Sequence, residues 1–361
     1  MKETDLRVAL IGCGIGAEIH ASAIKSYKGA KIVGMADLNR GKLMAFGERH
    51  GIDGHFTDFE EMIEQVKPTV VHIVTPPRTH AAITKDVLAR GCAVLVEKPM
   101  CMDEAEADSM IEAARSNGRS LCVMHNHMFD SAIQKADDLV RSIPGNDPYL
   151  VRVTYFVEGR KLKEEGDLDP NHWIHRLPLG IYGEHGAPHV LYILLKWLKR
   201  ASDLTISEME VNASMNGVTR LWNVTVSSER CMGVMALGDN TTIGQFAVEL
   251  FTPFMVIKLN LLDLTWTIYR ERRIGVTPSR MAASVEESVR RLCSSAGNLA
   301  AIVTGRLKRR PGHRALIRAF YDSIRNRLPP PVPPEEGREV VRVLKCIENR
   351  LKAEHVTERD H

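Results

Sequence analysis

The sequence lacks several things. None of its 361 residues falls in an apolar run of 18, so no segment reads as a membrane-spanning helix. The amino-terminal MKETDLRVAL carries charges without the apolar core of a secretory signal, and a cytoplasmic protein is the expectation. Its seven cysteines are scattered, odd in number and without a CxxC pair, which argues against a disulfide framework or a zinc site. They read as small buried thiols in a reducing compartment. Neither sign of charge dominates: 48 Lys and Arg against 45 Asp and Glu leave a formal +3, so nothing demands a nucleic-acid partner. Repeats and low-complexity tracts are missing as well. What remains is an ordinary globular composition, 44% hydrophobic and 26% charged, at a length that suits two domains.

Over the first 125 residues, short β-branched runs (LRVALIG, AKIVGMAD, TVVHIVTPP, AVLVEKP, LCVMH) alternate with amphipathic stretches such as AEIHASAIKSY, NRGKLMAFGERH and THAAITKDVLARG. That alternation predicts a parallel sheet with crossover helices. Beyond about residue 148, seven strand-like runs from YLVRVTYFVEG to LTWTIYRE follow one another across short polar breaks, interrupted by one apolar helix, HVLYILLKWLKR. Strands without long crossovers predict a largely antiparallel sheet. The expected architecture is α/β: a doubly wound Rossmann domain over 1–125, then an α+β substrate and oligomerisation domain on an open, largely antiparallel sheet over 126–334. A C-terminal helix over 335–361 is expected to pack back on the first domain. Residues 290–314 carry a local basic excess, read as a solvated surface helix and loop, or as a face for a phosphate-bearing substrate or a membrane surface.

The chemistry starts at GCGIGA, residues 12–17, between a predicted strand and a predicted helix. In this pattern Gly12 permits a tight turn, Gly14 lets backbone approach a pyrophosphate, and Ala17 lets helix and strand pack closely. Ile15 and Gly16 open the helix whose free N–H groups would face the anion. The next strand ends in Asp37, at the distance where a carboxylate takes ribose hydroxyls; its rival role is a helix N-cap. Asp37 would repel a 2′-phosphate and so favours NAD, while Arg40 nearby leaves NADP open. Thr75 and Pro76, and then Glu97 and Lys98, stand at the carboxyl ends of two further strands, the edge where doubly wound sheets bind ligands. A lysine there can hold a developing alkoxide or shuttle a proton; its plainer role is a snorkelling strand-end charge paired with Glu97.

GCGIGAEIHA with His20, TPPRTH with Thr75, Pro76 and His80, and the EKP of residues 97–99 resemble the Gfo/Idh/MocA family of NAD(P)-dependent oxidoreductases, named for glucose-fructose oxidoreductase and inositol dehydrogenase. The resemblance implies that Lys98 works where hydride leaves or arrives and that Glu97 lies near the nicotinamide ribose, and in the family the bond before Pro99 is often cis. It also implies homodimers or homotetramers built through the C-terminal sheet. In the second half the family's usual acid, glycine, histidine and second acid become Glu184, Gly186 and Pro188-His189, with Leu191 and Tyr192 where the second acid would stand. This departs from the inositol type and is similar to a variant with an HW, LP, E and PHxxY pattern. His189 is the candidate general acid/base, because imidazole titrates near neutrality, and Glu184 would orient it or a substrate hydroxyl. Trp173 would stack on a sugar ring, with His172, His175, Arg176, Asn126, His127 and Tyr192 as further substrate contacts. His185 and His189 have metal-ligand spacing, but no HExxH or further cluster accompanies them, and no metal is expected.

The expected activity is interconversion of a secondary alcohol and a ketone on a sugar, nucleotide-sugar or related polyol by hydride transfer. One alternative uses the same residues for redox-assisted elimination and hydrolysis of a glycoside; another, a non-catalytic dinucleotide sensor, would need only the cofactor-binding ones, and Lys98 with His189 speaks against it.

Overall fold

The computed structural model describes residues 6–158, 185–198, 205–213, 220–241, 244–270, 276–304 and 310–357. The chain divides into two compact units, Met1–Asn126 with Gly312–Lys345, and His127–Pro311 with Cys346–His361.

In the first unit six strands, β1 (Leu6–Ile11), β2 (Ala30–Ala36), β3 (His55–Phe56), β4 (Val70–Ile73), β5 (Ala93–Val96) and β6 (Leu121–Val123), pair in parallel in the order β3-β2-β1-β4-β5-β6. Every residue of β4 and β5 is buried, as strands covered on both faces must be. The crossovers are α1 (Ile15–Lys25), α2 (Arg40–His50), α3 (Phe59–Val66), α4 (His80–Ala89) and α5 (Glu104–Ser116). Strand order reverses between β1 and β4, which opens a crevice at their carboxyl ends. Sequence patterning missed β3 and α3. The strand has two residues and the helix eight, too few to establish a period, and α3 starts because Asp58 accepts the N–H groups of Glu60 and Glu61.

The second unit contains α6 (Ser131–Arg141), β7 (Leu150–Glu158), α7 (Ala187–Leu198), β8 (Thr205–Ala213), β9 (Arg220–Ser227), β10 (Met232–Thr241), β11 (Gln245–Phe251), β12 (Met255–Asn260), β13 (Thr265–Arg270) and α8 (Val276–Val303). Its sheet runs β13-β12-β11-β7-β10-β9-β8, antiparallel everywhere except between β7 and β10. All seven strands coincide with the expected runs, and β12 alternates buried with half-buried residues as a sheet with one covered face does. Helix α7 covers β7 and β10 and is buried along nearly its whole circumference, which accounts for its continuous apolar sequence.

Two more helices, α9 (Pro311–Asn326) and α10 (Pro334–Thr357), follow. The unit boundary differs from the expected one, which left residues up to 334 in the second domain. Helix α9 buries Leu316, Ile317, Phe320 and Tyr321. Within the first unit Tyr27 donates to Asp322, Arg325 donates to the Gly29 carbonyl, and Arg314 donates to Ser22. Arg338 of α10 is paired with Asp108 and Glu104 of α5, which draws the start of α10 into the same unit. No helix among the described residues is long and apolar enough to cross a membrane.

Candidate active site

The turn between β1 and α1 is built for glycine. Gly12 has φ +97°, and a Cβ there would lie 2.4 Å from the Val74 carbonyl oxygen at the end of β4, so no other residue fits. Gly14 is the N-cap of α1 with no side-chain cap, and a Cβ on it would meet nothing within 4 Å. Open space thus lies above an uncapped helix start, the arrangement that accepts an anion. Ile15 is exposed, Gly16 packs where a Cβ would meet a Val74 methyl at 2.7 Å, and Ala17 is fully buried against the sheet. Asp37 follows β2 and accepts the Cys13 N–H and the Asn39 N–H, each at 2.7 Å, which ties the end of β2 to the glycine turn. The N-cap of α2 is Asn39, accepting from the Lys42 N–H, so the capping role considered for Asp37 belongs two residues later. Arg40 begins α2 and is exposed. Burial, followed by the charges of Asp37 and Glu18, pushes the Cys13 thiol up to about 12, so it stays protonated.

Thr75 and Pro76 leave β4, and the ring of His80, fully buried, places Nε2 2.7 Å from the Thr75 carbonyl and Nδ1 3.0 Å from the Pro99 carbonyl. Burial lowers its pKa against those two contacts, and a neutral ring donates to only one of them. His80, expected at the cofactor, braces the loops after β4 and β5. Glu97 and Lys98 follow β5, with a cis bond between Lys98 and Pro99. The Glu97 carboxylate accepts the Lys98 N–H at 3.1 Å and meets His20 Nε2 at 2.9 Å. His20 Nδ1 lies 2.8 Å from His72 Nδ1, and His72 Nε2 lies 2.9 Å from the Tyr321 hydroxyl. One proton order satisfies all three contacts: Tyr321 donates to His72, His72 to His20, and His20 to the carboxylate. Burial alone would raise Glu97, but the His20 hydrogen bond and the charges of His20, His313 and Lys98 outweigh it and hold the carboxyl at about 2. Burial and then His20 drive His72 well below 6.5, and burial carries Tyr321 well above 10.

A second cluster forms within the second unit. The short 3-10 turn Asn126–Phe129 presents His127, whose Nδ1 lies 2.6 Å from the buried Asp130 carboxylate. The carboxylate accepts, so Nδ1 carries a proton and Nε2 of the neutral ring is left as a base. His127 N–H also donates to the Tyr192 hydroxyl at 3.3 Å, and that hydroxyl lies 2.8 Å from His189 Nδ1. The His127 and His189 rings meet edge to face with centroids 5.1 Å apart. Phe246 of β11 stands 4.9 Å from His127, Tyr155 of β7 stands 6.3 Å from His189, and His185 stands 6.2 Å from His189. The structure therefore gathers His127, His189 and Tyr192 and adds Asp130, Tyr155 and Phe246, which sequence reasoning missed. Only Asp130 left a local signal, at i+3 from His127. Asn126 is buried in the first unit. The expected substrate residues His172, Trp173, His175 and Arg176, and the expected orienting Glu184, lie outside the described residues. Among the described residues no group of three His, Cys, Asp or Glu side chains is placed to hold a metal ion.

A parallel sheet of order 3-2-1-4-5-6, with a glycine turn over an uncapped helix and a carboxylate after β2, defines a dinucleotide-binding Rossmann unit. Residues 6–125 match the family model GFO_IDH_MocA, described as "Oxidoreductase family, NAD-binding Rossmann fold". The first unit thus carries the NAD-binding fold of the Gfo/Idh/MocA oxidoreductases. The chain is 33% identical over 130 residues to the D-glucoside 3-dehydrogenase of Escherichia coli K12, covering 36% of this chain and 37% of that protein. It is 26% identical over 149 residues to the myo-inositol 2-dehydrogenase of Thermotoga maritima, covering 41% and 45%. The matches span about two fifths of the length of these curated relatives. Over nearly the whole chain the fold is similar to two solved structures. The WlbA dehydrogenase of Bordetella pertussis, in complex with NADH and UDP-GlcNAcA, has TM-score 0.74 at 16% identity and covers 97% and 96% of the two chains. The UDP-N-acetylglucosamine 3-dehydrogenase GnnA of Acidithiobacillus ferrooxidans has TM-score 0.71 at 18% identity and covers 95% and 97%.

Proposed function

We propose that this protein is an NAD(P)-dependent oxidoreductase that interconverts a secondary alcohol and a ketone on a sugar, nucleotide-sugar or related polyol. The observation that carries this reading is a lysine at the carboxyl end of β5, on the same sheet edge as an open glycine cradle. The residues fit a dinucleotide: the α1 N-terminus would take the pyrophosphate and Asp37 the adenosine ribose. Arg40, Thr75, Pro76 and Glu97 would border the rest. When bound, the nicotinamide supplies hydride acceptance or donation, chemistry that no side chain performs.

The chain's own groups do the remainder. Lys98 holds the substrate oxygen by charge and hydrogen bond as its proton departs. The chain Tyr321–His72–His20 keeps Glu97 ionised and fixed beside the Lys98 backbone. Within the second unit, the imidazoles prepared to take a hydroxyl proton are His189, set by Tyr192, and His127, set by Asp130. His127 is the better-prepared base of the two, because its carboxylate partner fixes the tautomer. Asp37 favours NAD over NADP through repulsion of a 2′-phosphate. Assembly through the second unit's sheet completes the proposal, as the resemblance implies.

The test is mass spectrometry of gently purified protein, native and then denatured, followed by titration with NAD and NADP. A retained or titratable dinucleotide, with NAD(H) reduction or oxidation on a panel of polyols and keto-sugars, is the expected result. Protein that binds neither nucleotide overturns the proposal. Glycoside hydrolysis without added cofactor would move it to the redox-assisted reaction.

A further inference from the structure

Helix α8, 28 residues and about 42 Å long, is laid out backwards for a surface helix. Its half-buried side carries Glu286, Arg290 and Asn298. That side faces β13 and the turn before it: the Arg290 guanidinium lies over the Trp266 ring at 5.5 Å, and Asn298 donates to the Asp263 carbonyl at 2.6 Å. At 100° per residue the diametrically opposite, outward side carries Val285, Val289, Leu292, Ala296, Leu299 and Val303. All six are exposed, the five larger ones by 54% to 79%. The half-buried side thus holds charged and polar groups with small residues such as Ala283 and Ala301 between them, while every large apolar side chain described on the helix faces outward, the reverse of what solvent favours.

We infer that this stripe is a contact surface for α8 of a second copy of the chain. The spacing 4, 3, 4, 3, 4 from Val285 to Val303 is a 3.5-residue repeat, the pattern of a seam between two helices. Ala282, Ser288, Ser295 and Ala300 border it and let a second helix approach to about 8–10 Å. At the exposures given, the stripe with Met281 beside it offers roughly 700 Å² per copy, near the ~800 Å² per partner of a standard interface. A self-complementary stripe of this kind closes under a two-fold axis. A bilayer fits the same residues less well. The stripe is only about 80° wide, and membrane-surface helices carry a broader apolar face with aromatic anchors and a strongly basic polar face. Helix α8 has no aromatic residue, and its Arg280, Arg290 and Arg291 stand against Glu286 and Glu287. The inference is independent of the catalytic reading.

The experiment is the mass of the full chain in solution by analytical ultracentrifugation, wild type against Leu292→Glu/Leu299→Glu, with circular dichroism as the folding control. Both leucines are well exposed in one copy, so the fold should persist; Leu292→Ser/Leu299→Ser serves as a milder second pair. The expected result is that the particle mass halves, with association through this contact weakened ~100-fold or more. A wild type that is monomeric, or a mass unchanged in both variants, overturns the inference. So does co-flotation of the wild type with phosphatidylglycerol–phosphatidylcholine vesicles that is lost in the variants without a change of mass, since that would assign the stripe to a membrane.

Discussion

The two units assemble their candidate sites by opposite means. In the first unit the site is a property of backbone: a glycine turn, an uncapped helix and two strand ends, all on the carboxyl edge of one parallel sheet. In the second, His127, His189, Tyr192, Tyr155 and Phe246 converge from a 3-10 turn, a helix and two strands, and no stretch of main chain defines the place. A site made by backbone tolerates few substitutions at its glycines but many around them. A site made by convergence depends on each contributor separately.

The sharpest way to break this contrast is Lys98→Met, which removes the ammonium and leaves the cradle. Turnover should fall about 10³-fold while NAD affinity, measured by calorimetry, stays within a few-fold. Similar losses in both would show that Lys98 serves binding. Next come His127→Gln and His189→Gln: the one that moves the proton should lose about 10²-fold in kcat and flatten the acid limb of the pH–rate profile. If Asp130→Asn shifts that limb as well, the dyad is the base. Gly12→Ala should cost about 2–3 kcal/mol of stability and abolish dinucleotide binding, because the methyl has only the Val74 carbonyl to displace. Unaltered NAD titration in that variant would refute a backbone-defined cradle.

Acid should separate the units more gently. His72, His80 and His125 of the first unit are held below 6.5 by burial, His125 at about 3. The unfolded chain binds those protons more readily, so their contribution is complete above pH 6.5 and is lost as pH falls toward the folded values. Glu97, at about 2 against 4.5, adds a loss of the same sign below pH 4.5. Hydrogen exchange, corrected for intrinsic rates, should show β4 and β6 losing protection between pH 6.5 and 4 before β7 and β11 do. The smallest effect expected is from Tyr321→Phe. It strands His72 Nε2 and should cost about 1–2 kcal/mol, read as a lower Tm with the fold unchanged.

What the sequence made legible follows the same division. GCGIGA, Asp37, Thr75 and Lys98 are local, each tied to a strand end, and strand ends can be read from alternation. The second sheet was also legible, since seven alternating runs repeat across short breaks. Asp130 escaped because a lone acid before a helix looks like any N-cap, and Tyr155 and Phe246 because an aromatic on an alternating strand looks like core. His72 sits unremarked in VVHIV, and its partner Tyr321 is 249 positions away. The place of α9 was invisible for the same reason: an amphipathic helix announces that it packs, never against what. Helix α8 shows the limit from the other side, since its half-buried face is built on Arg290 and Asn298 and its large apolar residues are exposed.

The first unit draws on two separate segments of the chain, Met1–Asn126 and Gly312–Lys345. During synthesis the ribosome delivers every strand of the Rossmann sheet long before the phenol that donates to His72. The edge that carries the glycine cradle is therefore among the first parts made and among the last finished. Any product cut short before α9 would display the glycine cradle on an incomplete support, a natural target for chaperones and proteases.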